Sequence, residues 1–217
     1  LDNVNATKLA SWDPYNQNAF ADFFEPEWMF GINEGFDVVI GNPPYVRQER
    51  LGEEFKKILI KHHPEVGNGI ADLYVYFFGI ALKISSKKGI IAFITLNKWL
   101  KTKYGFNLRS HLKYINVKTI IDFFELPIFE ASTDASISII INEANNCNTT
   151  KYFPVTTLEN MDLIELTSGN FQEVIKDETE WKFIGNNQKS IIEKLYIDAK
   201  TLKEFTNNKI FRGITTG

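Results

Sequence analysis

One cysteine, Cys147, stands among the 217 residues, so the chain closes no disulfide within itself. That agrees with a reducing compartment. Histidine is nearly as scarce. His62 and His63 precede Pro64 with no partner acid or cysteine at ligand spacing, and no metal site is expected. No apolar run reaches the roughly 18 residues of a membrane span, and no charged-then-apolar leader opens the chain. The expectation is a cytoplasmic protein with no membrane partner. Internal repeats and low-complexity stretches are missing as well. What the chain does hold is apolar and aromatic: 44% hydrophobic residues and 14% aromatics, 18 of them Phe. That composition excludes disorder and supplies the core of one folded domain.

The net charge of -3 argues, taken whole, against nucleic acid as a partner. Its distribution argues the other way. Residues 1–46 sum to -6, residues 47–118 to +9 and residues 119–217 to -6. A central basic block flanked by acidic ones is either a set of solvated helix faces or a positive surface able to meet phosphate. The chain begins without Met and stops at Ile214-Thr215-Thr216-Gly217, which reads as a piece of a longer polypeptide.

Residues 1–30 read as irregular or loosely helical, punctuated by Asp13-Pro14 and Glu25-Pro26. Phe36 to Gly41 (FDVVIG) is a continuous β-branched run expected to be a buried parallel strand. Leu51, Phe55, Ile58 and Leu59 repeat at helical spacing through Lys61. Ala71 to Ser85 is apolar on nearly every face and reads as a buried helix. Gly89–Leu96 is a second buried strand, Gly105–Tyr114 a short helix, Val117–Phe124 a third strand and Ser136–Asn142 a fourth. The loop between the last two has no room for a crossover helix, so they are expected to be antiparallel neighbours. Further on, short strands are expected near Tyr152–Leu158 and Trp181–Ile184, then a helix over Gln188–Tyr196. Together these make half of a doubly wound α/β sheet.

The first strand runs straight into Asn42-Pro43-Pro44-Tyr45. Ligands of open α/β sheets bind outside the carboxyl ends of the strands. Asn42 carries a side-chain carbonyl acceptor, and Pro43, which lacks an N–H, leaves its main-chain carbonyl as a second. The Pro-Pro pair stiffens the turn so that both acceptors can converge. An amino group conjugated to a ring is a poor nucleophile because its lone pair is delocalised. Two acceptors on its two N–H groups pull the nitrogen toward tetrahedral geometry and favour the charge that develops in attack. Tyr45 adds a ring on which a planar substrate stacks. Arg47, Lys98, Lys101, Lys103 and Arg109, all in the basic block and close to strand ends, are the candidates for phosphate contacts. Asp162 with Glu180-Trp181-Lys182 makes only a poor nuclease pattern, since no Pro precedes Asp162.

FDVVIGNPPYVRQE resembles motif IV of the adenine-specific, S-adenosylmethionine-dependent DNA methyltransferases, especially the large fused enzymes of type IIG restriction-modification systems. The resemblance continues through Asp72 to Phe77, Lys88 to Leu100, Tyr104-Gly105 with Leu108-Arg109, and Ile128-Phe129-Glu130-Ala131 followed by the SISIII strand. Ile210 to Gly217 resembles the entry into that family's target-recognition domain. Leu96 departs from the family, which often has Pro there; the turn after the strand is affected and the chemistry is not.

The resemblance implies an α/β fold: the C-terminal half of a class I, Rossmann-like methyltransferase sheet with a reversed last strand. Residues 1–145 form part of the catalytic domain, and 146–217 a β-rich extension and linker helix leading to a missing target-recognition domain. Double-stranded DNA is the implied partner, with adenine flipped into the pocket. Asn42 and the Pro43 carbonyl hold its amine; Tyr45 and Phe129 stack on its two faces. Asp72, Tyr74 and Phe77 border S-adenosylmethionine, and the methyl passes in line to the 6-amino group.

No Gly-rich loop follows a strand before FDVVIG, so the main cofactor loop is expected to lie outside these residues. The fragment is then expected to be inactive alone. Its FDVVIG strand becomes a sheet edge, inviting a covering segment or a homodimer. Three alternatives stay open: an Asn-Pro-Pro-Tyr methyltransferase acting on RNA or a protein glutamine, a non-catalytic DNA-binding module of a phage-defence complex, and a nuclease.

Overall fold

The structure is a computed structural model that describes residues 3–13, 15–16, 26–129, 134–144, 150–158, 171–176, 181–184, 200, 202–207 and 209. Its centre is one seven-stranded mixed sheet. In chain order the strands are β1 (Phe36–Gly41), β2 (Ser85–Leu96), β3 (Ile115–Asp122), β4 (Ala135–Ala144), β5 (Thr150–Pro154), β6 (Gln172–Lys176) and β7 (Trp181–Ile184). Their spatial order is β1-β2-β4-β3-β5-β6-β7. β1 and β2 are parallel, and so are β3 and β5; β4 is antiparallel to both β2 and β3. The reversed strand thus lies between β2 and β3, and β1, β2, β3 and β5 all end at one rim.

Short helices at Asn3–Ser11 (α1) and Pro26–Phe30 (α2) precede the sheet; α3 (Glu53–His62), α4 (Leu73–Ile84) and α5 (Phe106–Leu112) lie between its strands. α4 is buried through Tyr74, Val75, Tyr76, Phe78 and Ala81, as its near-continuous apolar sequence requires. Phe78 meets the Phe93 ring of β2 at 5.4 Å and the Trp99 ring at 5.6 Å, and Trp99 meets Trp181 of β7 at 5.3 Å. One core therefore runs from α4 to the last described strand. Asn142 of β4 donates to the carbonyls of Leu82 (3.0 Å) and Ser85 (3.2 Å), tying off the helix end. Gly89 has no room for a side chain, since a Cβ would stand 2.8 Å from the Phe36 carbonyl oxygen of β1.

Several expectations change. β1 was expected to be buried, yet Val38 is 58% and Ile40 80% exposed, because the face they share with the 43% exposed Ile90 of β2 is left open among the described residues, whereas Val39 on the other face turns toward the core. On α3, Leu59 is buried, but Phe55 and Ile58 face outward, so the apolar spacing overstates the packed face. β2 begins at Ser85, four residues before the expected start, with Lys88 at φ 67 ahead of Gly89. β6 was not foreseen. The expected helix over 188–196, Cys147, Asp162, Glu180 and the 210–217 segment lie outside the described residues. Among the described residues no helix is long and apolar enough to cross a membrane.

Candidate active site

The loops that leave β1, β2 and β3 at the shared rim carry most of the singled-out residues. Asn42-Pro43-Pro44-Tyr45 follows β1 directly. Asn42 and Pro44 are exposed, Pro43 is buried, and Tyr45 is half-buried. Proline fixes much of this turn by its ring. The remainder is held by hydrogen bonds: Val46 N–H donates to the Pro44 carbonyl (3.0 Å), and Leu73 N–H at the start of α4 to the Val46 carbonyl (3.0 Å). Asp72, which precedes α4, accepts from the Gln48 backbone N–H at 3.0 Å. The buried helix is thereby the anchor of the turn.

Tyr45 is fixed at both ends. Its hydroxyl donates to the Ile94 carbonyl of β2 at 3.3 Å, and its ring meets the Phe129 ring edge-on at 6.1 Å and the Tyr74 ring at 6.4 Å. Phe129 reaches it from the loop after β3, so the two aromatic residues expected to bind one base do converge. Their planes, however, stand at 74° to each other. Tyr74 is fully buried and shares a 2.8 Å hydroxyl contact with Tyr104. Burial first, then its contacts with Tyr104, pushes the Tyr74 hydroxyl far above the usual tyrosine range; burial also raises Tyr45 and Tyr104.

Of the three residues expected to border a cofactor, Tyr74 and the half-buried Phe77 are committed to the core. Asp72 is the one with a polar group at the rim, its carboxyl raised by burial.

Arg47, Lys98, Lys101 and Lys103 are exposed. Arg47 lines a cavity of about 470 Å3 with Tyr45, Glu49 and Arg50. Arg109 is a correction. It is 1% exposed, and its guanidinium donates to the carbonyls of Trp99 (2.6 Å) and Thr102 (2.7 Å). It braces the turn Asn97–Leu100 from inside instead of meeting phosphate.

Three neighbours are given no site role by the sequence. Tyr104 caps Tyr74, and Arg50 was findable as the next basic residue after Arg47. Asp122, a buried acid ending the apolar strand VKTIID, accepts from Asn97 Nδ2 (2.9 Å) and the Tyr152 hydroxyl (2.8 Å).

Residues 2–129 match the family described as Eco57I restriction-modification methylase. The chain is 34% identical over 112 residues to the type II methyltransferase M.BstVI of Geobacillus stearothermophilus, covering 51% of this chain and 20% of that protein. It is 27% identical over 197 residues to M.PaeR7I of Pseudomonas aeruginosa, covering 84% of this chain and 34% of the relative. It thus spans about a third or less of these relatives' length. Among solved structures, the ATP-dependent Type ISP restriction-modification enzyme LlaBIII bound to DNA superposes with a TM-score of 0.49 and 18% identity. That match covers 66% of this chain and 12% of the other. With the family match running through the rim loops and ending at Phe129, the chain belongs to the Eco57I restriction-modification methylase family.

Proposed function

We propose that this chain is the base-binding half of a site-specific DNA adenine methyltransferase working within a restriction-modification system. The observation that carries the reading is the turn Asn42–Tyr45 at the carboxyl end of β1, with the Asn42 side chain exposed and the Tyr45 ring beside Phe129. Asn42 Oδ1 and the Pro43 carbonyl accept the two N–H groups of a flipped adenine's 6-amine, increasing the nucleophilicity of its nitrogen as charge develops. Tyr45 holds the ring plane, and Phe129 closes over it. Tyr45 cannot drift, because its hydroxyl is tied to the Ile94 carbonyl. Arg47, Lys98, Lys101 and Lys103, with Arg50, meet the backbone phosphates.

S-adenosylmethionine supplies an electrophilic methyl group when bound. The residues present fit one edge of its site: Asp72, a partly desolvated carboxylate beside the base turn, suits a cationic group. Tyr74 and Phe77 shape that wall from behind. The 217 residues alone are inactive in this reading, since they hold no Gly-rich cofactor loop.

The test uses the full-length protein with radiolabelled S-adenosylmethionine, offered unmodified duplex DNA, transfer RNA or a glutamine-bearing protein in parallel reactions. Label is expected in N6-methyladenine, and Asn42→Ala is expected to remove at least 100-fold of the rate, the scale of losing one transition-state hydrogen-bonding group. Label in cytosine, in RNA or on a glutamine would overturn the adenine reading.

A further inference from the structure

The rim contains a second recess. A cavity of about 230 Å3 lies where β2 and β3 end, walled by Leu100, Lys101, Thr102, Lys98 and Phe124, with Asn97 and Asp122 beneath. Below the roughly 300 Å3 at which pockets for drug-sized ligands begin, it has room for one planar ring and little more.

Its aromatic wall is held in an unusual backbone state. Phe124 lies at φ 50, the left-handed region that costs a Cβ-bearing residue about 1 kcal/mol. The Asp122 carboxylate holds it there by accepting the Phe124 N–H at 3.0 Å. The reward is not burial, for the ring is 40% exposed. Strain maintained by a buried group in order to present an exposed ring points to a ligand for that ring. Asp122 is 2% exposed and accepts from Asn97 Nδ2 and the Tyr152 hydroxyl as well, so its charge is committed and does not face an incoming anion. The charge that does face outward is cationic. Lys98 and Lys101 are both exposed, and Lys101 is placed over the Phe183 ring at 5.6 Å.

An exposed aromatic ring beside two ammonium groups is the chemistry that binds a nucleic-acid strand: the ring takes a base and the ammoniums take phosphate. The position fits that ligand. The recess opens at the end of β2, the strand next to β1, and the Ile94 carbonyl that holds Tyr45 lies three residues before Asn97. We propose that this recess binds a second nucleotide of the DNA, one flanking the flipped adenine, with its base stacked on Phe124 and its phosphate between Lys98 and Lys101. The proposal rests on the DNA methyltransferase reading and extends it to a site-selecting contact made by the catalytic domain itself.

The test measures binding of a fluorescein-labelled 30-base-pair duplex to the full-length protein by anisotropy across a salt series. Phe124→Leu keeps an apolar side chain and removes the ring. It is expected to weaken binding about tenfold at every salt concentration, within the range of one lost base–aromatic stack, without changing the salt slope. The pair Lys98→Gln with Lys101→Gln is expected to lower that slope by about one, for the one phosphate held between the two ammonium groups. Should the leucine variant fail to fold, a duplex carrying 5-iododeoxyuridine is expected to crosslink to the wild-type tryptic peptide 119–151 at Phe124. No crosslink at that residue overturns the proposal.

If all these variants bind as wild type while Asn42→Ala still abolishes methylation, the recess idea fails and the methyltransferase reading stands. If the wild-type protein neither binds nor methylates duplex DNA, both fail. Thymidine 5′-monophosphate is the control for a free-nucleotide pocket. Tight binding of it that Phe124→Leu removes, with duplex binding unaffected, overturns the strand assignment.

Discussion

The ring of Phe129 meets the ring of Tyr45 edge-on, with centroids 6.1 Å apart and planes at 74°. A base stacked between two parallel faces needs about 7 Å between them, twice the contact distance of carbon atoms. The edge of Phe129 therefore stands where the base is proposed to go, and the pair fills its own pocket. Tyr45 is pinned to Ile94, so Phe129, on the loop after β3, is the ring that must turn. Phe129→Ala removes both the plug and one stack. The expected outcome is a fall of about 10- to 100-fold in single-turnover methyl transfer, the equivalent of one base–aromatic stack. Only a modest change in thermal midpoint should accompany it, since the ring is half-buried. An unchanged rate would take Phe129 out of the base pocket.

Arg109 supplies a prediction in the opposite direction. Its guanidinium satisfies the Trp99 and Thr102 carbonyls from a buried position, a geometry one ammonium cannot reproduce. Arg109→Lys keeps the charge yet is expected to cost about 2–4 kcal/mol, as buried carbonyls lose their donors. Calorimetry checks the stability, and the salt dependence of DNA binding checks the role. A well-folded Arg109→Gln variant, which removes the charge, would restore Arg109 to the phosphate contacts if its salt slope fell by about one.

The Arg109 case shows where sequence reading stops. Charge along a chain says which residues are cationic but not which turn has carbonyls facing inward. Gly105 packs against the Trp99 backbone and brings the start of α5 under that turn, a tertiary fact. FDVVIG misled similarly: a run of β-branched residues reports strand and apolarity, whereas burial depends on what lies beside and above it. By contrast, the Asn42–Tyr45 turn was legible because proline chemistry and its place after a strand are local. The antiparallel meeting of β3 and β4 was legible because a short loop permits little else. Phe124 was not, since its positive φ depends on the Asp122 carboxylate two residues back and on the partners that bury that carboxylate.

The same carboxylate sets a pH limit. Burial first, then the hydrogen bond and negative charge of Asp122, pushes the Tyr152 hydroxyl well above the ordinary tyrosine value of 10.0. A group whose folded pKa is raised gives stability that is complete below its unfolded pKa and is lost as pH rises through the folded one. The sign is therefore destabilisation above about pH 10, with none from this group at neutral pH. Tyr152→Phe is expected to lower stability at pH 7 by about 1.5–3 kcal/mol, one lost hydrogen bond to a charged group, and to flatten the alkaline limb of a denaturation series. An alkaline limb equally steep in the variant would show that other groups set it.

The exposed edge of the sheet carries the last prediction. Val38 and Ile40 stand 58% and 80% exposed on β1, which pairs with β2 alone among the described strands. Unpaired strand edges with apolar side chains recruit further strands, and a lysine on the edge is the usual deterrent. The 217-residue chain is accordingly proposed to self-associate through β1, with sedimentation equilibrium showing a concentration-dependent dimer that Ile40→Lys shifts toward monomer. Ile90 separates edge pairing from face-to-face stacking. It pairs with Val38 across the ladder and is 43% exposed on β2, away from the free edge. Edge pairing survives Ile90→Lys; stacking of the open faces does not. A chain that stays monomeric at every concentration would mean that neither surface is sticky enough to matter.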